Sequence, residues 1–401
     1  MIEHLSPLAR QTFARLVPVL RRPVVAFAAL AAAVGGALLT RLPLFELPGY
    51  ELAAAMTLLL ALLCGTLGIL LARQERRFVT SGGPAGWQQR PTGAGAVGLC
   101  AAGAAATGLG VLVLPFLAAI VGAGTTSRCD PFTGIGFYAL LPVPTAVLAA
   151  FAGTLVGFAT RRAWAAAVLY AALLLASLAV SLAPIWTGPQ IFALNHFLGY
   201  FPGPLYDEAL EVDGRLFAFR ALTAAWTLLL FTVGAAFVDP ASARLVRRTP
   251  NGRHVAAALA LVPAVLFFWF YDFPLGLQTR HDDLARELGG QSETAHFVLH
   301  YPRTKPVEDV RRLERDLEFK YAQVTAFFGI EYPRKIHAWF HKSAEDKRRL
   351  VGAAHTNFAK PWRSQWWNPT MICWGLGAFG LGLTGVLEVN TKEDLGAHAA
   401  L

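Results

Sequence analysis

The chain has 401 residues, of which 55% are hydrophobic and only 15% charged, whereas a soluble globular chain carries roughly 25% charged residues. Stretches without Asp, Glu, Lys or Arg at 23–40, 52–72, 91–127, 131–160, 163–206 and 254–271 exclude a wholly soluble protein. Four Cys with no C-x-x-C pair exclude a disulfide-stapled secreted module. The net charge of +9 divides at Asp272 into +7 before and +2 after, and its cations are shared among loops rather than gathered on one face, which argues against nucleic-acid binding.

In chain order, the apolar runs predict helices near 23–40, 51–72, 95–122, 137–159, 163–187, 216–238 and 254–272, each close to the roughly 20 residues that cross a bilayer. The first is read as an uncleaved anchor, because its flank is long and more spans follow. Cations cluster at Arg10, Arg15, Arg21 and Arg22; at Arg73, Arg76, Arg77 and Arg90; at Arg161 and Arg162; and at Arg244, Arg247, Arg248 and Arg253. These fall at alternate loops, the positive-inside pattern, which puts the N-terminus in the cytoplasm and the C-terminal part outside. Trp164, Trp186 and Trp269 stand near span ends, where amphipathic rings fit best.

Ala- and Gly-rich runs such as AALAAAV and AAGAAATGLG let helix backbones approach closely. No charged residue lies in the middle of a span, which disfavours an ion-coupled transporter. Arg220 and Glu51, near span ends, are expected to snorkel to water. Loop 188–215 carries Asn195, His196, Tyr200, Pro202, Pro204, Asp207, Glu208, Glu211 and Asp213. It reads as a solvated acidic loop contacting the outer module, without the periodic spacing of a Ca²⁺ loop.

After Asp272 the composition changes, and 273–370 reads as a small α+β module. Residues 294–301 alternate as a strand. Val307, Val310, Leu313, Leu317, Tyr321, Val324 and Phe328 then define one helix face that ends at Gly329, with Glu308–Arg312 and Asp316–Lys320 pairs on its solvated side. A second strand at 335–341 leads through Ser343, an N-cap, into a short helix ending near Gly352. His296 with His300 and His337 with His341 are spaced i,i+4, but within strands that spacing separates the rings by about 13 Å, too far to share an ion. They read as half-buried or exposed strand histidines. The 371–401 tail holds Gly375, Gly377 and Gly380, then Gly380, Gly382 and Gly385, and a third G-x-G-x-x-G sits at Gly93, Gly95 and Gly98. The tail copies leave no room after Gly385 for a dinucleotide fold and the third opens a membrane span, while 371–387 is apolar enough to be weighed as an eighth span. Cys64 and Cys100 read as buried small residues, and a Cys129–Cys373 disulfide is a further possibility outside the membrane.

The runs HFVLHYP, LERDLEFKYAQVTAFFGI and IHAWFHKSAEDKRRLVGAAHTNFAKPWR, over 295–363, resemble the opening of the extracytoplasmic gluzincin-like (peptidase MA type) domain of some bacterial multi-spanning proteins. CDPFTGIGFYALLPVP and GYFPGPLYDEAL carry a weaker resemblance in the membrane part. The resemblance implies a sheet and helix preceding a zinc helix, whose H-E-x-x-H supplies two ligands and a general base, with a later Glu as third ligand. Such a zinc ion keeps an open position for the attacking water. After Trp362 and Arg363 this sequence has no H-E-x-x-H, and His398 is the only later His. No catalytic, cofactor-binding or metal residue is therefore carried over, and zinc is expected only for a complete domain.

The fold expected is a membrane all-α bundle of about seven helices with a small extracytoplasmic α+β module: a cytoplasmic segment 1–22, a membrane domain 23–272, the module 273–370 and the tail 371–401. The function expected is that of a catalytically incomplete, peptidase-like membrane anchor or interaction module. A fragment of an active membrane-tethered zinc metallopeptidase, through truncation or a shifted frame, is the alternative, and a permease-like protein the second. The partners are the lipid bilayer and extracytoplasmic polypeptide. Arg outnumbering Lys 28 to 7, with abundant Ala, fits a GC-rich bacterium and hence a plasma-membrane location.

Overall fold

The computed structural model describes residues 16–81, 93–126, 134–203, 210–239, 241–246, 252–329, 332–360 and 386–389. Two units separate by their internal packing, Met1–Val180 with Leu194–Tyr200 and Glu211–Tyr271, and Ser181–Ala193 with Phe201–Leu210 and Asp272–Leu401.

Glycine spacing decides how the long helices of the first unit meet. Its helices are α1 (Pro23–Leu39), α2 (Tyr50–Ser81), α3 (Gly93–Thr126), α4 (Ile135–Leu140), α5 (Pro142–Ala159), α6 (Ala163–Thr187, which leaves the unit at Val180), α7 (Gly214–Phe237) and α8 (Gly252–Phe270). The α2–α5 contact is the most extensive, and it is a seam of small residues. A Cβ on Gly153 would lie 2.0 Å from the Gly65 carbonyl oxygen, one on Gly68 2.6 Å from that of Ala150, and one on Gly157 2.7 Å from the Ala72 methyl. Side chains are thus missing where backbones touch, the arrangement that lets membrane helices gain close packing without a hydrophobic driving force. Tyr170 of α6 lies over Gly65 and donates its hydroxyl to the Ala61 carbonyl at 2.6 Å. Tyr138 ties α4 to α3 through the Leu112 carbonyl at 2.9 Å.

The predicted 137–159 helix is broken at Leu141, because Pro142 has no N–H to give the carbonyl four residues back and restarts the helix as its first residue. Counting α4 and α5 as one run, six helices among the described residues are long and apolar enough to cross a membrane, and the chain is a multi-pass membrane protein. The first predicted span, α1, has 17 residues and falls short of that length. α8 packs against α7 yet has no buried residue, and it exposes Leu259, Leu266, Phe267, Trp269 and Phe270. In water such a surface would aggregate; in lipid it is solvated.

At one end of the bundle Arg76 caps α5. Its guanidinium donates to the carbonyls of Thr160 (2.7 Å), Gly157 (2.8 Å), Phe158 (2.9 Å) and, from Nε, Ala243 (3.3 Å). The last carbonyls of a helix have no internal donors and carry its negative dipole end, so a cation there satisfies both needs.

Two short strand pairs, β1 (Ala193–Asn195) with β2 (Gly199–Phe201) and β3 (Val238–Asp239) with β4 (Arg244–Leu245), come earlier in the chain. In the second unit α9 (His281–Leu288) leads through Gly289, held at φ +74°, straight into β5 (Gly289–Glu293). β6 (Phe297–Pro302), α10 (Val307–Phe328), β7 (Ile336–Phe340), α11 (Ala344–Val351), β8 (Phe358–Ala359) and β9 (Val386–Val389) follow. The sheet order is β5-β6-β7-β9-β8, with β6, β7 and β9 parallel and the two outer strands antiparallel to their neighbours. Alternation on β7 divides the core. Ile336, Ala338 and Phe340 face Leu313 and Tyr321 of α10, whereas Trp339 joins Leu284, Leu288, Leu350 and Val351 of α9 and α11. The expected helix 307–328 and the Ser343 cap are present, Ser343 Oγ accepting from Asp346 N at 3.1 Å. The first predicted strand starts later, at Phe297, because Thr294 and His296 turn toward α10.

Within the Gly-rich tail, residues 371–385 and 390–401 lie outside the described residues, while Val386–Val389 forms a strand between β7 and β8. Ser181–Ala193 also belongs to this unit. Gln190 accepts from Thr279 N (3.0 Å) and donates to the Phe192 carbonyl (2.9 Å), and Ile191 N donates to the Val351 carbonyl (2.9 Å). Lys360, buried, donates to the carbonyls of Ile185, Gly188 and Gln190, closing the C-terminus of α6.

Candidate functional site

The polar side chains that the sequence singles out in the second unit come together in two places. His296 points its Nδ1 at Glu318 Oε2, 2.7 Å away on α10, and stacks on Tyr321 with ring centroids 4.0 Å apart. Glu318 also accepts from Thr294 Oγ1 (2.6 Å) and His296 N (2.9 Å). Burial works against the Glu318 carboxylate, but these donors outweigh it and hold the group below the usual carboxylate range. The hydroxyl of Tyr321 is meanwhile occupied with Tyr332, accepting from its N at 3.0 Å.

The second cluster lies on the sheet. Parallel pairing of β6 with β7 sets Val298 opposite His337 and His300 opposite Trp339. His300 therefore reaches diagonally, Nε2 to His337 Nδ1 at 3.1 Å, and stacks on the Trp339 indole at 3.8 Å between centroids. Burial and the neighbouring His337 push the His300 imidazole down to about 4. His341, one residue past β7, is fully buried, and among the described residues neither of its ring nitrogens has a hydrogen-bond partner. Burial first, then Lys347, push it down to about 3, with Asp346 pulling the other way. Lys347, fully buried as well, donates to the Thr356 carbonyl (2.9 Å) and to Asn357 Oδ1 (3.0 Å). The i,i+4 pairs thus act separately, as their strand setting predicts. The exposure expected for them holds only in part, since His300 and His341 are buried.

The first unit contains a polar centre that sequence reasoning places elsewhere. Residues 190–200 are mostly buried rather than solvated. Asn195 Oδ1 accepts from Phe197 N and Leu198 N, both at 2.8 Å, turning the chain back on itself, and Tyr50 donates to the Tyr200 carbonyl at 2.9 Å. Arg220 does not snorkel. It is 4% exposed, donating from Nη2 to the Leu141 carbonyl (3.1 Å) and from Nη1 to the His196 carbonyl (3.3 Å). His196 stacks on Phe219 at 4.5 Å, and its Nδ1 lies 2.9 Å from Thr223 Oγ1. The physical reason is the inserted turn, because a backbone carbonyl carried into an apolar bundle must find a donor, and the guanidinium supplies two.

Of the acidic residues in that loop, Asp213 caps α7, accepting from Leu216 N at 3.0 Å, whereas Pro204, Asp207 and Glu208 lie outside the described residues. Cys64 and Cys100 are buried, as expected. Cys129, Cys373, the tail glycines Gly375 to Gly385 and His398 lie outside the described residues, while Gly93, Gly95 and Gly98 open α3. Among the described residues, no three His, Cys, Asp or Glu side chains are grouped to hold a metal ion. No family model, curated protein or solved structure matches this chain.

Proposed function

We propose that the chain is a bacterial plasma-membrane protein that crosses the bilayer seven times from a cytoplasmic N-terminus and presents its C-terminal α/β unit outside, as an interaction module for extracytoplasmic polypeptide. One observation carries the reading: a multi-span apolar unit is joined in one chain to a separately cored α/β unit in which His296 is committed to Glu318, and His300 to His337 and Trp339. Those commitments favour a binding or scaffolding role over hydrolysis. The strand–helix–strand–helix order over 297–351 is in keeping with the front of a gluzincin-like domain, so the module reads as a catalytically incomplete relative of such peptidases. Arg76 supports the orientation, since its bonds to Thr160 and Ala243 gather three of the predicted cytoplasmic basic segments at one end.

The test labels single cysteines in intact cells with a membrane-impermeant maleimide. Asp316→Cys, on the exposed face of α10, is expected to react without lysis and Arg162→Cys only after it. The reverse pattern refutes the topology. Stoichiometric zinc together with casein hydrolysis by the purified protein refutes the binding-module reading.

A further inference from the structure

We infer that the arginine cluster around the C-terminus of α5 is a binding site for the phosphate group of an anionic phospholipid. The cluster is assembled from three distant segments: Arg73 and Arg76 on α2, Arg161 and Arg162 in the turn between α5 and α6, and Arg244 on β4. Backbone carbonyls draw these cations together. Arg76 spends its donors on Gly157, Phe158, Thr160 and Ala243, and Arg73 Nη1 donates to the Arg161 carbonyl at 3.3 Å. Arg73, Arg161 and Arg244 are each close enough to Arg76 to repel it.

Among the described residues none of the five arginines forms an ion pair. Asp239, opposite Arg244 in the β3 (Val238–Asp239) and β4 (Arg244–Leu245) pairing, directs its carboxylate to Ala241 N, Ser242 N and Ser242 Oγ. Glu75 is buried on α2 between Arg73 and Arg76 in sequence. Among the described residues these guanidiniums, four of them gathered at Arg76, have no paired carboxylate and leave a surplus of positive charge that an external anion would offset. A phosphate oxyanion suits it best, because the planar guanidinium fork matches phosphate geometry.

The surroundings favour a lipid as the source. Arg161 and Arg162 are exposed, Trp164 begins α6 with 64% of its surface exposed, and Leu245 and Val246 lie exposed beside Arg244. Headgroup phosphate against the arginines, with acyl chain against indole and aliphatic side chains, uses both halves of this surface. A free phosphate uses only the first.

The test uses the full-length protein purified in mild detergent, incubated with equimolar phosphatidylglycerol and phosphatidylcholine and read by native mass spectrometry. Preferential retention of phosphatidylglycerol is expected, falling roughly fivefold for each arginine lost in Arg161→Gln, Arg162→Gln and their combination with Arg73→Gln. Arg161 and Arg162 make no side-chain bonds among the described residues, so these variants are expected to keep the fold, and Arg41→Gln, beyond the other end of α2, is expected to retain the preference. Equal retention of both lipids, or a preference unchanged in the triple variant, overturns the inference. Release of phosphatidylglycerol by millimolar inorganic phosphate assigns the cluster to free phosphate and overturns the lipid assignment.

Discussion

Replacing Gly153 by alanine tests the glycine seam on which the first unit is built. The added Cβ would sit 2.0 Å from the Gly65 carbonyl oxygen, against an ordinary contact of 3.4 Å or more, so α2 and α5 must part by over an ångström. The obstruction is backbone, which cannot rotate away as a flexible side chain would. Overpacking of this kind costs about 1–3 kcal/mol or more, and alanine returns about 1 kcal/mol through its better helix propensity. With a backbone obstruction this close the cost lies at the upper end, so a net loss of up to about 2 kcal/mol is expected for Gly153→Ala. Gly110 on α3 is the control, because a Cβ there meets nothing within 4 Å and only the propensity gain remains. The assay is unfolding of the detergent-solubilised protein by titrated sodium dodecyl sulfate, followed by near-ultraviolet circular dichroism. Gly153→Ala should unfold at a lower detergent fraction and Gly110→Ala at an equal or higher one. If both variants shift equally, or Gly153→Ala is neutral, the seam does not set the helix contact.

Other expectations concern single groups. Arg220→Ala leaves the His196 and Leu141 carbonyls without these donors, and a loss of about 2 kcal/mol, with faster proteolysis of the 193–201 turn, is expected; unchanged thermal stability would count against the inserted turn. Ser343→Ala removes the cap of α11 and should cost about 1 kcal/mol, read as a lower midpoint for the second unit's denaturant transition. His300 and His341 are held neutral, at about 4 and about 3, below the unfolded value near 6.5. Their contribution is complete above pH 6.5 and is lost as pH falls through that window. Thermal melts between pH 7 and pH 4 should show this decline, flattened in His300→Asn, and a pH-independent melt would refute it. Gly352→Ala forces a side chain onto a φ of +103° and against the Phe192 ring, so it should destabilise the second unit by over about 1 kcal/mol.

Sequence alone determined the features that depend on nearest neighbours and on solvent. Long charge-free runs marked the membrane helices, since no polar backbone survives in lipid unless helical. The 3.6-residue recurrence from Val307 to Phe328 and the Ser343 cap located α10 and α11 to within a residue. Everything that depends on register or insertion was decided by the tertiary structure. The i,i+4 spacing of His296 with His300 says nothing of His337, because only parallel pairing in this register brings His300 and His337 within 3.1 Å. Arg220 reads from sequence as a snorkelling residue near a span end, and becomes a buried donor only because a turn 24 residues upstream carries the His196 carbonyl into the bundle. Val386–Val389, four residues in a Gly-rich tail, becomes a strand through pairing with β7 and β8 rather than through any pattern of its own. Local pattern reports how a segment meets water or lipid; which distant donor meets which acceptor depends on chain topology, which no local pattern encodes.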